Sequence, residues 1–304
     1  MYKHHEESLK IMVDHYRSQP GVIAFIFGGS VSKGMERPDS DLDGMLIVSP
    51  EEFEQRVANN TTCEVTYGKC TYPEGYFDVK YMTKEYLQLA AEKGSEPTRA
   101  SFYMAKVMFT HDPEIEELVA KISTVQQQEK PEKMLSFYAD LMLSYEYYWK
   151  MCRVENYMKI RTASEMVYCI YRLILQENDI LFPCNRRLEQ YVELTTNKPE
   201  GIVEMCKEFT NTLSDDLIDN IIKAYQGWTT WQHETELAAF ASRRQLDFEK
   251  WWYIPRPLVG NGKMFCSTIS RVFCPGSFFS HVNRTLLKKL KCMITDSFDT
   301  QTEV

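Results

Sequence analysis

Residues 22–48 contain two short apolar runs, a glycine-rich turn between them, and a pair of aspartates, and this stretch constrains the fold most. Residues 22–27 and 45–48 are rich in β-branched and aromatic side chains, which predicts two buried strands. The sequence Gly28-Gly29-Ser30 follows the first run, and such residues let a backbone turn tightly and bring its amide hydrogens close to an anion. A helix that starts near Ser30 would add its positive end. The turn is therefore a predicted anion site.

Asp41 and Asp43 flank Leu42 where the second strand is predicted to start. Because alternate side chains of a strand point to the same face, we expect both carboxylates to project together while Leu42 faces the core. Two convergent carboxylates beside a phosphate-binding turn are what a Mg²⁺–nucleoside triphosphate requires. The simpler alternative is a glycine turn between two strands with solvated acids.

The spacing of these residues resembles the signature of the polymerase-beta-type nucleotidyltransferases. The resemblance is closest to the small bacterial branch that includes minimal, kanamycin and lincosamide nucleotidyltransferases. The matching positions are Gly29, Ser30, Ser32, Gly34, Pro38, Ser40, Asp41, Leu42 and Asp43. Ser32 stands where that branch usually has Ala. Gly44 stands where it usually has Leu, a change expected to loosen the strand slightly.

The resemblance also implies roles for individual residues. Ser30 and the amides of Gly28 and Gly29 would hold the β- and γ-phosphates, with help from Lys33. Asp41 and Asp43 would bind two Mg²⁺ ions. ATP is the expected donor by family habit, although another nucleoside triphosphate would meet the same chemistry.

Asp78 is the single acid within a mostly apolar run at residues 76–81. A charge there is costly unless it meets a cation or another partner. In the resembled family a third carboxylate on a neighbouring strand acts on the attacking hydroxyl, and Asp78 matches that place as a metal ligand or base. The alternatives are an edge acid that faces water or one paired with Lys80. Glu64 and Glu74 are the substitute candidates.

The pattern along the chain predicts an α+β fold. Residues 1–128 form a nucleotidyltransferase catalytic domain with a mixed β-sheet, and residues 131–253 form an all-helical bundle on the acceptor side. Residues 126–131 are interpreted as a linker. Predicted strands also lie at 62–68, 75–81 and 106–109, and predicted helices at 4–18, 83–93, 98–104, 114–127, 134–147, 155–178, 186–195, 200–213 and 215–241.

The helix predicted at 155–178 has a polar side that carries Arg161, Glu165 and Arg172. Because an acid on the helical domain can serve as the acceptor's base in the kanamycin enzyme's family, Glu165 is the candidate for that role, with Arg161 beside it. The alternative is an ordinary solvated face. Residues 178–188 are also similar to the Asn-x-x-x-x-Pro-x-x-Lys stretch of such enzymes, with Arg at the Lys position.

Residues 254–304 form a basic C-terminal extension of unknown role. Its Gly and Pro residues interrupt regular structure, and the segment 280–295 reads as a short basic amphipathic helix. It either docks on the acidic body, binds a membrane surface or a partner, or is a loosely held tail.

Composition limits the classes of function. A net charge of −8 and a pI near 5.4 argue against a protein that coats nucleic acid. The nine cysteines include no zinc-type spacing. With no signal peptide and no transmembrane segment recognisable, the expected location is the cytoplasm.

The predicted activity is Mg²⁺-dependent transfer of a nucleoside monophosphate, AMP from ATP in the first instance, to a hydroxyl of a small-molecule acceptor. The reaction releases pyrophosphate, and an antibiotic is one expected acceptor. The alternatives are a protein-modifying nucleotidyltransferase that acts as an antitoxin, and a catalytically inactive nucleotide-binding module. The sequence leaves the acceptor and the oligomeric state open.

Overall fold

The computed structural model describes residues 1–231, 234–250 and 253. Within them, five strands form one sheet in the order β3-β4-β2-β1-β5. The strands are β1 (Val22–Phe27), β2 (Leu42–Val48), β3 (Cys63–Tyr67), β4 (Tyr76–Met82) and β5 (Lys106–Thr110). Strand β2 runs parallel to β4, and the other neighbouring pairs are antiparallel. The predicted mixed sheet and the α+β class are confirmed.

Helices cover both faces of this sheet. Helix α1 packs on one face against Phe25, Leu46 and Phe77, while the other face packs against helices α4 and α6. The helices of this half are α1 (Lys3–Arg17), α2 (Gly29–Ser32), α3 (Pro50–Ala58), α4 (Lys84–Lys93), α5 (Glu96–Phe102) and α6 (Glu114–Ile122).

Side-chain caps explain where several of these helices begin. The hydroxyls of Ser49, Thr83 and Ser95 accept hydrogen bonds from backbone N–H groups at the starts of α3, α4 and α5. Such caps satisfy donors that lack a partner within the helix. The sequence Ser-Pro-Glu-Glu at 49–52 is typical of such a start, with Ser49 as the cap and Pro50 in the first turn.

The second half is a helical bundle whose core includes Tyr138, Ile170, Phe182 and Phe209. Its helices are α7 (Lys130–Met142), α8 (Asn156–Glu177), α9 (Asn185–Leu194), α10 (Ile202–Thr212), α11 (Asp215–Trp228) and α12 (Leu237–Arg244). Helix α7 continues as a π-helix over Leu143–Met151, and α12 continues as a π-helix over Gln245–Glu249.

Three predicted boundaries are wrong. Residues 126–131 are not a free linker: a 3₁₀ turn at Gln127–Glu129 leads directly into α7, and Gln126 Nε2 donates to the Glu92 carbonyl at 3.0 Å. Helix α6 ends at Ile122, before the predicted end at 127. The helix predicted at 215–241 is two helices, because Thr229 is extended and its hydroxyl donates to Glu177 Oε1 at 2.8 Å.

The described residues all belong to one compact unit, so the sheet and the bundle are parts of the same body. The division into domains at 128 and 131 stays a prediction. The basic extension at 254–304 lies outside the described residues. No helix in the described part of the chain combines the length and apolarity needed to cross a bilayer.

Candidate functional site

Three aspartates meet where β2 and β4 run side by side. The parallel register places Asp43 opposite Asp78, and Asp41 lies just before β2. Oxygen atoms of the three carboxylates lie within 4.8 Å of one another. Leu42 is fully buried on the other face of the sheet. The strand period therefore places the residues as predicted, with both acids on one face and the leucine in the core.

Burial and, after it, the crowding of like charges set the electrostatics of this triad. Burial, Asp41 and Asp78 raise the pKa of Asp43 to about 6, and the charges of Lys80 and Lys33 only partly oppose the rise. The charge of Asp41, and its hydrogen bond with Tyr76, raise the pKa of the Tyr76 hydroxyl. Among the described residues, no ion pair joins Asp41, Asp43 or Asp78 to a cation. Clustered carboxylates without a protein counter-charge fit a divalent metal ion, for which oxygen donors are the preferred ligands.

The glycine turn is pressed against this triad. Gly29 has a φ of +74°, and a Cβ added there would overlap the carboxylate of Asp43. The Gly28 N–H donates to the Asp43 carbonyl at 3.1 Å, which fixes the turn to the start of β2. The hydroxyl of Ser30 has no hydrogen-bond partner in the described structure. Glycine is thus required at 29 by both conformation and space.

The helix predicted to start near Ser30 is present but short. Helix α2 begins at Gly29 but ends at Ser32. A helix of one turn aligns too few peptide dipoles to supply the expected positive helix end. The Gly28 amide, which was predicted to hold a phosphate, is already used by the Asp43 carbonyl. An anion at the turn would therefore meet the Gly29 and Ser30 amides and the Ser30 hydroxyl.

The other motif residues shape the loop that leads to Asp41. Ser32 Oγ donates to the Gly29 carbonyl at 3.1 Å, and the Arg37 N–H donates to Ser40 Oγ at 2.9 Å. Gly34 has a φ of +68°, which favours glycine. The motif spacing is thus a set of local contacts that fix the route from the turn to the acids.

Gly44 is tightly packed, which differs from the expected loosening of β2. A Cβ added there would lie 2.5 Å from Phe25 Cε2 and 2.9 Å from Met12 Cε. Glycine makes room for α1 directly behind the acids, and β2 remains paired on both sides at this position.

The triad and the turn line a cleft of about 910 Å³, within the usual size range of ligand sites. The strands provide one side, and the other side comes from α5, from the segment that joins α8 to α9, and from α9 itself. The residues of this second side are Pro97, Thr98, Ala100, Ser101, Pro183, Cys184, Arg186, Arg187 and Tyr191. The segment 178–188, noted for its resemblance, is therefore brought to the cleft through Pro183 and its neighbours.

Cations surround the triad without neutralising it. Lys33 Nζ donates to the Ala100 carbonyl at 2.9 Å, and burial lowers the pKa of Lys33. Arg187 Nη1 donates to Gln190 Oε1 at 2.8 Å. Neither Lys33, Lys80, Arg186 nor Arg187 makes an ion pair with another described residue. A cleft with unpaired acids on one side and unpaired cations around them suits a metal ion together with a polyanion.

Two predicted acceptor-side residues lie elsewhere. Glu165 lies beside Asp140 and Cys169, with one potential ligand atom of each within 4.8 Å of the others. Neither Glu165 nor Arg161 is among the described residues that line the cleft. Arg172, predicted on an exposed polar side, is 1% exposed, so that prediction is wrong.

The two substitute acids are separated by the sheet. Glu64 lies on the face opposite to Asp78, where it accepts hydrogen bonds from Tyr16 and Tyr81. Glu74 is exposed and lines the cleft. No contact joins Asp78 to Lys80 as an ion pair within the described chain.

Several residues that line the cleft were not predicted from the sequence. Tyr76 and Lys80 alternate with Asp78 along β4, so the same strand period that grouped Asp41 with Asp43 was a usable signal. Thr98 and Ser101 had no such signal, because α5 reaches the cleft only through tertiary packing.

No protein-family model matches this chain, and no curated protein matches it. Among solved structures, the chain is similar to a nucleotidyltransferase-like protein from Exiguobacterium sibiricum 255-15. The identity is 10% and the TM-score 0.41, with 96% of this chain and 89% of that chain covered. At this level the likeness says nothing about the residues of the cleft.

Proposed function

We propose that this protein is a metal-dependent nucleotidyltransferase that transfers a nucleoside monophosphate from a nucleoside triphosphate to a hydroxyl. The observation that carries the proposal is the triad of Asp41, Asp43 and Asp78, whose oxygens lie within 4.8 Å of one another beside the Gly28–Gly29 turn. ATP is the proposed donor and Mg²⁺ the proposed metal, with two ions in the site.

The three carboxylates would hold the metal. When bound, Mg²⁺ neutralises charge on the triphosphate and lowers the pKa of an acceptor hydroxyl. The fit depends on ionised carboxylates. The pKa of Asp43 is raised to about 6, but this value still lies below neutral pH, so the residue is mostly charged there.

The glycine turn and the opposite side of the cleft, the wall at residues 183–187, would hold the phosphates. The Gly29 and Ser30 amides and the Ser30 hydroxyl offer donors on one side, while Arg186 and Arg187 offer cations on the other. Lys33 lies between them, anchored by its bond to the Ala100 carbonyl. These groups would orient the triphosphate and stabilise negative charge as the leaving group forms.

The proposed reaction balances as a substitution at the α-phosphorus. The acceptor oxygen forms a bond to the α-phosphorus, and the bond from that phosphorus to the oxygen bridging to the β-phosphorus breaks. Pyrophosphate carries away the electron pair. The Asp78 carboxylate takes the proton of the acceptor hydroxyl, a role that suits its place on the side of the triad remote from the turn.

The strand order suggests where the acceptor lies. The turn ends β1, the paired acids lie on β2, Asp78 lies on β4, and β3 follows at the sheet edge. Val65 faces Asp78 across the β3–β4 pair, and the Tyr67 ring lies 5.3 Å from the Tyr76 ring between centroids. Val65 is 49% and Tyr67 72% exposed, so an apolar platform adjoins the proposed base. This platform suits a small hydroxylated acceptor with an apolar or ring face.

Nucleotide binding is tested by thermal unfolding with Mg²⁺, with each of the four common nucleoside triphosphates, and with both together. We expect the metal and one triphosphate together to raise Tm more than either alone, because ligands that bind the folded state stabilise it by mass action. A Tm that responds to neither component contradicts the proposal.

Transfer is tested with labelled nucleoside triphosphates against a panel of aminoglycosides and lincosamides, and against cell lysate. A labelled small molecule and released pyrophosphate support the proposed reaction. A labelled protein band would assign the alternative, modification of a protein. Binding without transfer to any acceptor would assign an inactive nucleotide-binding module.

A further inference from the structure

Glu96, the first residue of α5, is a buried carboxylate shared by four donors. Its Oε1 accepts from Gln176 Nε2 at 2.8 Å and lies 3.0 Å from Arg172 Nη2 and 3.5 Å from Lys133 Nζ. Its Oε2 accepts from the Phe182 backbone N–H at 3.1 Å. Glu96 is 4% exposed, and Arg172 and Lys133 are buried with it. A buried charge persists only where geometry and partners offset its desolvation, and this carboxylate has both.

One of these four donors differs in kind from the others. The Phe182 N–H belongs to the segment between α8 and α9, whereas the other three donors are side chains of α7 and α8. The Phe182 ring stacks on the same ion pair, with the Arg172 guanidinium carbon 4.0 Å from its centroid. Glu96 therefore fixes the backbone of this segment directly.

Both chain stretches that meet at Glu96 continue into the cleft. Pro97 and Thr98 follow Glu96 and line one part of it, and Pro183 and Cys184 follow Phe182 and line another. The hydrogen bond from Lys33 to the Ala100 carbonyl ties α5 to the glycine turn as well. A continuous set of contacts thus runs from the turn, through α5, to the opposite wall.

We propose that Glu96 is a positioning residue for the nucleotide. It holds the wall at residues 183–187 at a fixed place opposite the glycine turn, so that Arg186 faces the bound phosphates. The part that concerns the nucleotide rests on the proposed function, whereas the position of the wall does not.

The wall carries its own reporter, because Cys184 is half-buried in it. Glu96→Gln keeps the side-chain length but removes the charge that holds the segment. We expect the alkylation rate of Cys184, measured by mass spectrometry without nucleotide, to rise roughly tenfold as the wall opens locally. Cys169 and Cys206 are buried in the bundle core and should stay protected, which distinguishes local release from global unfolding.

Asp247→Asn is the matched control. Asp247 is another acid that is 4% exposed and ion-paired, at 3.2 Å from Arg243 Nε, but it does not line the cleft. Its substitution should leave the Cys184 rate unchanged at a similar cost in stability. If Glu96→Gln leaves the Cys184 rate as in the wild type, or if Asp247→Asn raises it equally, the positioning role is wrong.

Glu96→Asp is a second variant that keeps the proposal testable if the Glu96→Gln protein does not fold. It keeps the charge among Arg172 and Lys133 but withdraws the carboxylate by one carbon–carbon bond, which lengthens its contact with Phe182. We expect a folded protein in which Cys184 reacts at an intermediate rate. An unchanged rate in this folded variant also overturns the proposal.

A double-mutant cycle with Arg186→Ala tests the effect on nucleotide. In the wild type, Arg186→Ala should weaken triphosphate binding roughly tenfold, and in the Glu96→Gln background the same change should have little further effect. Additive losses contradict positioning through the wall. If the wild type binds no triphosphate, the proposed function fails. The alkylation rates of Cys184 would still test whether Glu96 fixes the position of the wall.

Discussion

Asp43 lies directly opposite Asp78 across the parallel pair of strands β2 and β4. Neighbouring parallel strands point their paired side chains to the same face, so the two carboxylates converge without any loop to hold them. Sites built on strands are more precise than sites built on loops. The same rigidity keeps the carboxylates from moving apart, so their repulsion adds to burial in raising the pKa of Asp43 to about 6.

Asp43→Asn should stabilise the protein in the absence of metal. The change removes a charge that burial, Asp41 and Asp78 all disfavour, so we expect the free energy of unfolding at neutral pH to rise by about 1–2 kcal/mol. The response of Tm to Mg²⁺ and triphosphate should disappear in the same variant. Thermal unfolding with and without both ligands measures the two effects together.

Asp39→Asn is the control for that pair of effects. Asp39 lines the same cleft but is exposed and paired with Arg37 at 3.0 Å. It should neither stabilise the metal-free protein nor remove the Mg²⁺ response. An Asp43→Asn protein that is less stable without metal, or that keeps the full response, would contradict the role given to the triad.

The effect of Mg²⁺ should depend on pH. The pKa of Asp43 is raised in the fold from 3.8 to about 6, so the folded state binds more protons than the unfolded state between these values. Without metal, this residue therefore makes stability fall as pH rises through that window, and the loss is complete above it. Metal binding requires the ionised carboxylate, so the Tm increase caused by Mg²⁺ should grow with pH and level off above about pH 7. Equal Mg²⁺ effects at about pH 5 and about pH 7.5 would contradict this assignment.

Gly29→Ala and Gly34→Ala together separate the effect of backbone strain from that of a steric overlap with Asp43. Both glycines have positive φ, +74° and +68°, so either change should cost about 1–2 kcal/mol through conformation. Only at Gly29 does the new methyl group overlap the Asp43 carboxylate, whereas nothing lies within 4 Å at Gly34. Unfolding and Mg²⁺ titration of both variants should show similar losses of stability, or a larger one at Gly29, and a lost metal response at Gly29 alone.

Asp78→Asn should separate binding from transfer. The amide keeps the size of the side chain but accepts no proton from an acceptor, so pyrophosphate release should fall by a factor of about 10² or more. Triphosphate affinity should change less than in Asp43→Asn, because Asp78 lies on the side of the triad remote from the turn. Glu74→Gln, an exposed acid at the edge of the same cleft, is the matched control and should retain turnover. Wild-type turnover in Asp78→Asn would remove this residue from the mechanism.

Much of the triad could be predicted from the sequence because its geometry is local. The two-residue period of β2 places Asp41 and Asp43 on one face, and the same period places Asp78 and Lys80 together on β4. The resemblance supplied the one non-local step, that the strand with Asp78 lies next to the strand with Asp43. The parallel pairing of β2 with β4 supports that step.

The helices of the second half could be predicted from the sequence, but which of their sides are buried could not. Arg172 reads as a solvated residue on α8, yet it is buried because Glu96, far away in the sequence, provides its counter-charge. A helical period states which residues share a side and not what that side contacts. For the same reason, the helical period alone could not show whether Glu165 and Arg161 face the cleft. The extra break after Trp228 depends on the Thr229 bond to Glu177, which is equally non-local.

The packing of Gly44 beneath Phe25 and Met12 has a consequence for insertions and deletions. One residue added or lost between Asp43 and Val48 would reverse one part of β2 relative to the other, because each step along a strand reverses its faces. Either the acids would turn toward α1 or the apolar side chains after them would lose their places in the core. The exposed turn at Asn59–Asn60 carries no such constraint. In this protein, insertions or deletions of one residue should therefore abolish activity within β2 and be tolerated at the turn of Asn59–Asn60.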